Sequence, residues 1–345
     1  MLIFELKKDV RQEFNHQNEK SMGTRLFSEE VIDYKEVFAQ RGSDQPSLAQ
    51  KVADNYYTIV TEFYEKGWGE SFHFGPRFKG ENFKASLVRH EYFLALKLGL
   101  SPRDKVLDIG CGIMGPARNI ARLSGAHITG LTINQHQVER CLSLNRASSV
   151  NHLLRVEQGD FMDMPFPDSS FDKMYAIEAT CHAPDLAGVY RQVLNKLKPG
   201  GRACFYEWAM TDRYDRENAE HRKIKEMIEY GNGIYNLLTI AEIDKAIEAA
   251  GLIREETLDL AHADYGNDVP WYHTLHSGWS FSQMRHTKLV RTVLQASLDT
   301  LEFLHLVPQG TAGAHRILIT AANGLSAGGE AGIFTPMYMV VVRKA

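Results

Sequence analysis

Val106-Leu107-Asp108-Ile109-Gly110-Cys111-Gly112-Ile113-Met114-Gly115 is the stretch on which the fold turns. An apolar run ends in an acid and meets glycines spaced G-x-G-x-x-G. Pro116 then opens a helical stretch, at a position where its missing N–H costs nothing. Strand, glycine turn and helix in that order are what a nucleotide-binding α/β fold requires of this pattern. Working outward, Lys105–Ile109 reads as a first strand and residues 116–124 as a helix. Ala126–Leu131 is a second strand and residues 135–147 a polar helix. Leu154–Glu157 and Phe171–Ile177 follow as strands. A helix over 185–197 stops at Pro199-Gly200-Gly201, and Arg202–Trp208 is a fifth strand. This alternation predicts a parallel, doubly wound sheet. With Ile253–Leu260 and Phe334–Arg343 the expected architecture is α/β, a Rossmann-like doubly wound sheet of seven strands.

The flanks break the alternation. Residues 1–50 are polar and read as a partly helical arm. From Tyr56 to Phe74 there are seven aromatics in 19 residues, against 10% in the whole chain. An amphipathic helix accounts for them up to Phe63. Gly67 and Gly69 then leave Trp68, Phe72 and Phe74 on a loop. Residues 211–235 read as a charged helical insertion, and Thr239-Ile240-Ala241-Glu242 is a capping box opening a helix that ends at Gly251. Residues 265–330 are too long for a simple connection and read as a second insertion. The expected organisation is an N-terminal arm and aromatic lid over 1–95, a nucleotide-binding core over 96–212, and helical insertions with the last strands over 213–345.

Composition excludes several classes. The 345 residues carry 39 Lys and Arg against 43 Asp and Glu, which provides no basic field for nucleic acid. Cys111, Cys141, Cys181 and Cys204 stand far apart without a C-x-x-C pair, as free thiols in a reducing compartment would. No apolar run approaches the length of a membrane span, and no signal-peptide core follows Met1. These features predict an intracellular protein that does not cross a membrane, though it has room to lie on one.

The neighbours of the glycine loop decide its ligand. Asp108 ends the strand two residues before Gly110, where a carboxylate would repel a pyrophosphate but suit a ligand carrying an ammonium and a sulfonium. The second strand runs into Gly130-Leu131-Thr132-Ile133-Asn134-Gln135, without the acid that binds an adenosine ribose in NAD sites. Thr132, Asn134 and Gln135 are neutral candidates for the ribose hydroxyls. Gly159-Asp160-Phe161 follows the third strand and could bond the adenine amine and pack on its ring. Together Asp108, Gly110, Cys111, Gly112, Gly115, Gly159, Asp160 and Phe161 favour S-adenosylmethionine over NAD.

Several further segments resemble the sterol C-methyltransferases, within the class I S-adenosylmethionine-dependent methyltransferases. Tyr64-Glu65-Lys66-Gly67-Trp68-Gly69 with Ser71-Phe72-His73-Phe74 is similar to that family's aromatic signature, and Arg89-His90-Glu91 follows it. Ile177-Glu178-Ala179-Thr180-Cys181-His182-Ala183-Pro184 is the most specific run. Tyr206-Glu207-Trp208, Pro270-Trp271-Tyr272 and Gly332-Ile333-Phe334-Thr335-Pro336-Met337 complete the set, from about residue 55 onward.

The resemblance implies methylation of a sterol side-chain alkene at C-24 through a carbocation, with S-adenosylmethionine as co-substrate and no metal. Aromatic faces can stabilise such a cation by about 0.5–2 kcal/mol each when desolvated, without trapping it. Tyr64, Trp68, Tyr206 and Trp208 are the aromatic candidates. The base that finally removes a proton is sought among Glu178, Glu65, His73, His90, Glu91 and Glu207, with Glu178 at the carboxyl edge of its strand also placed to touch the methyl donor. Implied partners are a sterol, a peripheral contact with the endoplasmic reticulum or a lipid droplet, and room for a second copy of the chain. Methylation at another sterol carbon such as C-4, a cyclopropane-synthase-like lipid methyltransferase, and a non-catalytic sterol-binding protein stay open.

Overall fold

A computed structural model describes residues 31–40, 46–262, 268–275, 288–304, 306–307 and 309–345. In chain order the seven-stranded sheet comprises β1 (Lys105–Ile109), β2 (His127–Thr132), β3 (Leu154–Gln158), β4 (Phe171–Ile177), β5 (Leu197–Met210), β6 (Ile253–Asp259) and β7 (Phe334–Arg343). The helices are α1 (Pro46–Gly67), α2 (Phe83–Leu98), α3 (Gly115–Ser124), α4 (Gln135–Arg146), α5 (Leu186–Lys196), α6 (Ala219–Asn232), α7 (Ile240–Ala250), α8 (Lys288–Phe303) and α9 (Thr311–Glu330). Residues 31–39 form a further short helix.

Strand order across the sheet is β3-β2-β1-β4-β5-β7-β6. Order therefore reverses between β1 and β4, the switch point at whose carboxyl edge such folds bind ligands. The first five strands pair parallel, as the alternation predicts, while β7 runs antiparallel to both β5 and β6. The end of β6 lies beside the start of β7, with Asp259 opposite Tyr338 and the Leu260 amide donating to the Met337 carbonyl, so β7 runs back along β6 without a crossover. A Met- and Val-rich run reads as buried in either direction, so the sequence carries no mark of the reversal.

Side chains alternate along the strands and feed two layers. Tyr206 and Trp208 of β5 pack with Leu94 of α2, Ala117 and Ile120 of α3 and Cys141 of α4 on one face. Phe205 packs with Val189 and Val193 of α5 and Ile243 and Ile247 of α7 on the other. The capping box at Thr239 is complete: the Thr239 amide donates to Glu242 Oε2 at 2.8 Å, and Thr239 Oγ1 accepts the Glu242 amide.

A third apolar cluster lies above the sheet. Val31, Tyr34 and Phe38 of the short helix meet Tyr56, Ile59 and Val60 of α1 and Ala314 and Ile317 of α9. The lid is thus fixed to the second insertion, not to the sheet alone. The helix of the aromatic stretch runs to Gly67, and Trp68 begins the loop. Among the described residues no helix is long and apolar enough to cross a membrane.

Candidate active site

The glycine loop leaves β1 with Gly110 at φ 71° and Gly112 at φ 52°, both in the left-handed region. A Cβ on Gly110 would lie 2.4 Å from Ala179 Cβ, so the loop presses against the turn after β4. Gly115 serves a different purpose from the one read in sequence: a Cβ there would lie 1.9 Å from the Glu70 carbonyl oxygen. It is the crossing point of the lid over the start of α3, and Arg118 holds that crossing by donating to Glu70 at 2.9 Å.

Beneath the lid, at the β1–β4 switch point, is a cavity of about 350 Å³. Its walls include Asp108, Gly110, Cys111, Gly112, Thr132, Gly159, Asp160, Phe161 and Glu178. Asp108 is 3% exposed, and its Oδ2 accepts the Tyr175 hydroxyl at 3.0 Å. Burial pushes its carboxyl up to about 7, opposed by the Tyr175 hydrogen bond. A buried acid bonded to no Lys or Arg among the described residues, at the mouth of a glycine turn, suits a positively charged ligand. Asp160 Oδ1 caps the Met162 amide at 2.8 Å, which fixes the turn at the far wall. Ile133, Gln137 and Met162 line the same cavity. Gln137 accepts the Thr132 hydroxyl at 2.6 Å, and only the helical register of α4 turns it inward.

A second cavity of about 110 Å³ adjoins the first. Trp68, Phe74 and Trp208 line it, with Ile234 after α6, and Leu318, Ala321 and Leu325 of α9. Trp68 is pinned by its indole N–H, which donates to the His73 carbonyl at 3.0 Å. Phe74 stands edge-on to Trp68 at 5.2 Å and to Trp271 at 4.9 Å. Tyr57, Phe72, His73, Glu178 and His182 line both cavities and so form the partition.

Glu178 stands in that partition with φ 55°, an uncommon conformation for a residue with a Cβ. Its own amide donates to the Tyr206 carbonyl at 2.9 Å, and its Oε1 accepts the Phe74 amide at 2.7 Å. Burial pushes its carboxyl up to about 7, against the lowering effect of His73, the nearby Trp208 indole and the Phe74 amide. The Trp208 Nε1 is buried and has no hydrogen-bond partner among the described residues.

His73 has a different character. Its Nδ1 faces the Phe74 carbonyl at 2.6 Å and its Nε2 faces Glu91 Oε1 at 3.1 Å, both acceptors. Glu91 already accepts from Ser71 Oγ at 2.6 Å and Asn119 Nδ2 at 2.7 Å. Arg122 donates to Asn119 Oδ1 and fixes that amide's orientation. Both ring nitrogens therefore carry protons. Burial lowers the imidazole's pKa, but the hydrogen bond and charge of Glu91 and the charge of Glu178 raise it above its ordinary value.

Comparison with known proteins gives the site a family. Residues 281–345 match the model described as sterol methyltransferase C-terminal, and residues 107–205 the model of a methyltransferase domain. The cycloartenol-C-24-methyltransferase of Arabidopsis thaliana is 46% identical over 318 residues, covering 91% of this chain and 94% of that protein. The sterol 24-C-methyltransferase of Saccharomyces cerevisiae is 44% identical, covering 84% and 77%. The chain belongs to the sterol C-methyltransferase family. Solved structures of similar fold include the cyclopropane synthase MmaA2 of Mycobacterium tuberculosis, with a TM-score of 0.64 at 13% identity over 85% of this chain and 98% of that one. Geranyl diphosphate methyltransferase with GPP and sinefungin has a TM-score of 0.63 at 16% identity over 86% and 99%. At such identities the likeness is one of fold.

In this sterol C-methyltransferase several residues picked from sequence lie off both cavities. Glu65 is paired with Arg140, whose Nε donates to it at 2.9 Å. Glu207 accepts Thr180 Oγ1 at 2.5 Å and the Tyr190 hydroxyl at 2.8 Å, a buried structural carboxylate. His90 and Tyr206 stack on each other at 4.0 Å behind the wall. Burial holds His90 well below its ordinary pKa, with the charges of His73 and Arg89 adding to the effect. Asn134 caps α4 and donates to Asp54 and Thr58 of α1, each at 2.9 Å. Gln135 is exposed and donates to Glu139. The Tyr64 side chain lies outside the described residues. Among the described residues no three His, Cys, Asp or Glu side chains group to hold a metal ion.

Proposed function

We propose that the enzyme transfers a methyl group from S-adenosylmethionine to C-24 of a sterol side-chain alkene. The first cavity would hold the methyl donor and the second the sterol side chain. The observation that carries this reading is the shared partition: one wall of Tyr57, Phe72, His73, Glu178 and His182 faces both spaces. The names of the relatives above support the same carbon.

S-adenosylmethionine supplies an electrophilic methyl group on a sulfonium. Asp108 would meet its positive charge, Gly110 and Gly112 would let the backbone approach it, and Thr132, Gln137 and Asp160 would orient its nucleoside. The alkene π pair would form the new carbon–carbon bond as the methyl–sulfur bond breaks. That bond's electron pair stays on sulfur, S-adenosylhomocysteine leaves as a neutral thioether, and the positive charge passes to the sterol. Trp68, Phe74 and Trp208 would hold that charge in a dry space by their ring faces. A hydride moves to the cationic carbon from its neighbour. Glu178 then takes a proton as the C–H pair becomes the new double bond, which discharges the cation. With both ring protons committed, His73 is unfit as the base and helps keep Glu178 ionised.

Incubation of the purified protein with labelled S-adenosylmethionine and a panel of side-chain-unsaturated and saturated sterols tests the reading. Label on the unsaturated sterols alone is expected. Transfer to the saturated sterol alone would move the reaction to another carbon, and transfer to none would end the sterol assignment. We also infer a peripheral lipid contact. Phe303, Leu304 and Leu306 at the end of α8 are 82%, 54% and 69% exposed, an apolar tip suited to the surface from which a sterol is drawn. Phe303→Ser with Leu306→Ser should reduce co-sedimentation with phosphatidylcholine vesicles and leave the size-exclusion profile unchanged. A change in profile alone would assign the tip to a second copy.

A further inference from the structure

The partition holds a pair to which the chemistry above gives no part: Tyr57 of α1 and His182 in the turn after β4. His182 Nδ1 lies 2.9 Å from the Gly233 carbonyl, an acceptor only, so Nδ1 carries a proton and donates it. Burial pushes the imidazole down to about 4 although the Gly233 contact raises it, so the ring is neutral near pH 7 and its Nε2 offers a lone pair. The Tyr57 hydroxyl lies 3.0 Å from that Nε2. The phenol must therefore donate to His182. Its proton is committed, and toward any other neighbour the oxygen can present only lone pairs. The arrangement is held firmly. Gly233 sits at φ 65°, where a Cβ would approach Tyr56 Cβ to 2.7 Å, and the Tyr57 and His182 rings meet edge-on at 5.3 Å.

We propose that the Tyr57 hydroxyl oxygen is a neutral lone-pair group facing the cationic sterol carbon, and that His182 is a positioning residue that keeps the phenolic proton turned away from it. The inference rests on the reading of the two cavities as methyl-donor and sterol spaces. A fixed dipole with its negative end toward a developing charge stabilises that charge without reorganising. A phenol whose proton stays in place makes and breaks no bond here, so it neither captures the cation nor competes with Glu178 for the proton. Rings alone offer attraction from any direction across their faces; an oxygen adds a point of charge at one carbon.

The test compares a charged with a neutral ligand. A sterol analogue bearing a protonated amine at the cationic position and its uncharged carbon isostere are titrated into the full-length protein, with S-adenosylhomocysteine present. Tyr57→Phe is expected to weaken the charged analogue at least about fivefold, the effect of losing one aimed dipole, while the isostere and S-adenosylhomocysteine shift less than about twofold. His182→Ala, which keeps the oxygen but frees its proton, should move the charged analogue in the same direction, and turnover should fall in kcat more than in KM for both variants. Equal weakening of charged and neutral analogues would overturn the proposal, since that marks a role in shape only. Unchanged binding of the charged analogue in either folded variant would overturn it as well. Wild-type protein that methylates no sterol yet distinguishes the analogues in this way would fail the functional reading and not this one.

Discussion

At the residue scale, two buried acids, Asp108 and Glu178, stand at the switch point with raised pKa values. As the proposed base, Glu178 must be ionised, so kcat should climb with pH and level off above about 7. Glu178→Gln should lower kcat by roughly 10²–10³-fold, as loss of a general base does, with S-adenosylmethionine affinity nearly kept; equal losses in both would make Glu178 a ligand of the methyl donor. Asp108 carries a stability consequence. Folded, it keeps its proton up to about 7; unfolded, it releases it near the ordinary 3.8. The folded state thus binds the extra proton between those values, and the contribution to stability falls as pH rises across that window. Asp108→Asn removes the penalty, so its thermal midpoint without ligand should exceed that of the wild type at pH 8 while methyl-donor binding weakens. A midpoint lower than wild type at pH 8 would refute this account. Asp108, Gly110 and Glu178 were readable in the sequence because strand ends and glycine turns announce themselves. Gln137, Tyr57 and the committed protons of His73 were not. Each depends on which side of a helix faces inward or on partners far along the chain.

At the element scale, the lid loop after α1 crosses the start of α3 with no room for a side chain at Gly115. Gly115→Ala should push the Glu70–Ser71 backbone away, speed proteolysis between residues 65 and 75, and weaken S-adenosylmethionine about tenfold or more, in keeping with a backbone clash that cannot relax cheaply. Gly200→Ala is the control: its φ is also positive but nothing lies near its Cβ, so it should cost only about 1 kcal/mol by chemical denaturation. Strands and helices of the core were legible from period and punctuation, down to the capping box at Thr239. The direction of β7 was not, because a strand buried on both faces shows no polarity in its composition. The partners of Glu65 and Asn134 were hidden for a related reason. A carboxylate or amide near a signature looks the same whether it faces a cavity or ties α1 to α4.

At the scale of the whole molecule, the N-terminal helices, α6 and α9 are joined through the cluster around Tyr34, which is fully buried and bonds by its hydroxyl to the Tyr230 carbonyl of α6. Tyr34→Ala should destabilise the protein by about 3–5 kcal/mol, the usual cost of removing a buried ring, and reduce sterol turnover more than S-adenosylmethionine binding. Calorimetry with parallel binding assays would check it, and a loss confined to methyl-donor binding would count against the coupling. The central place of β7 has a kinetic consequence. Its partners on β5, such as Met210 opposite Phe334, are separated by more than a hundred residues of chain. The β1–β5 half can assemble from neighbouring units as it emerges, but its β5 edge stays open until α6 to α9 have found their places and delivered β7 between β5 and β6. Pairing over such a separation is slow. Newly made molecules are therefore expected to pass through a stage with an unpaired β5 edge, a template for clumping, whose duration is set by the docking of α6 to α9.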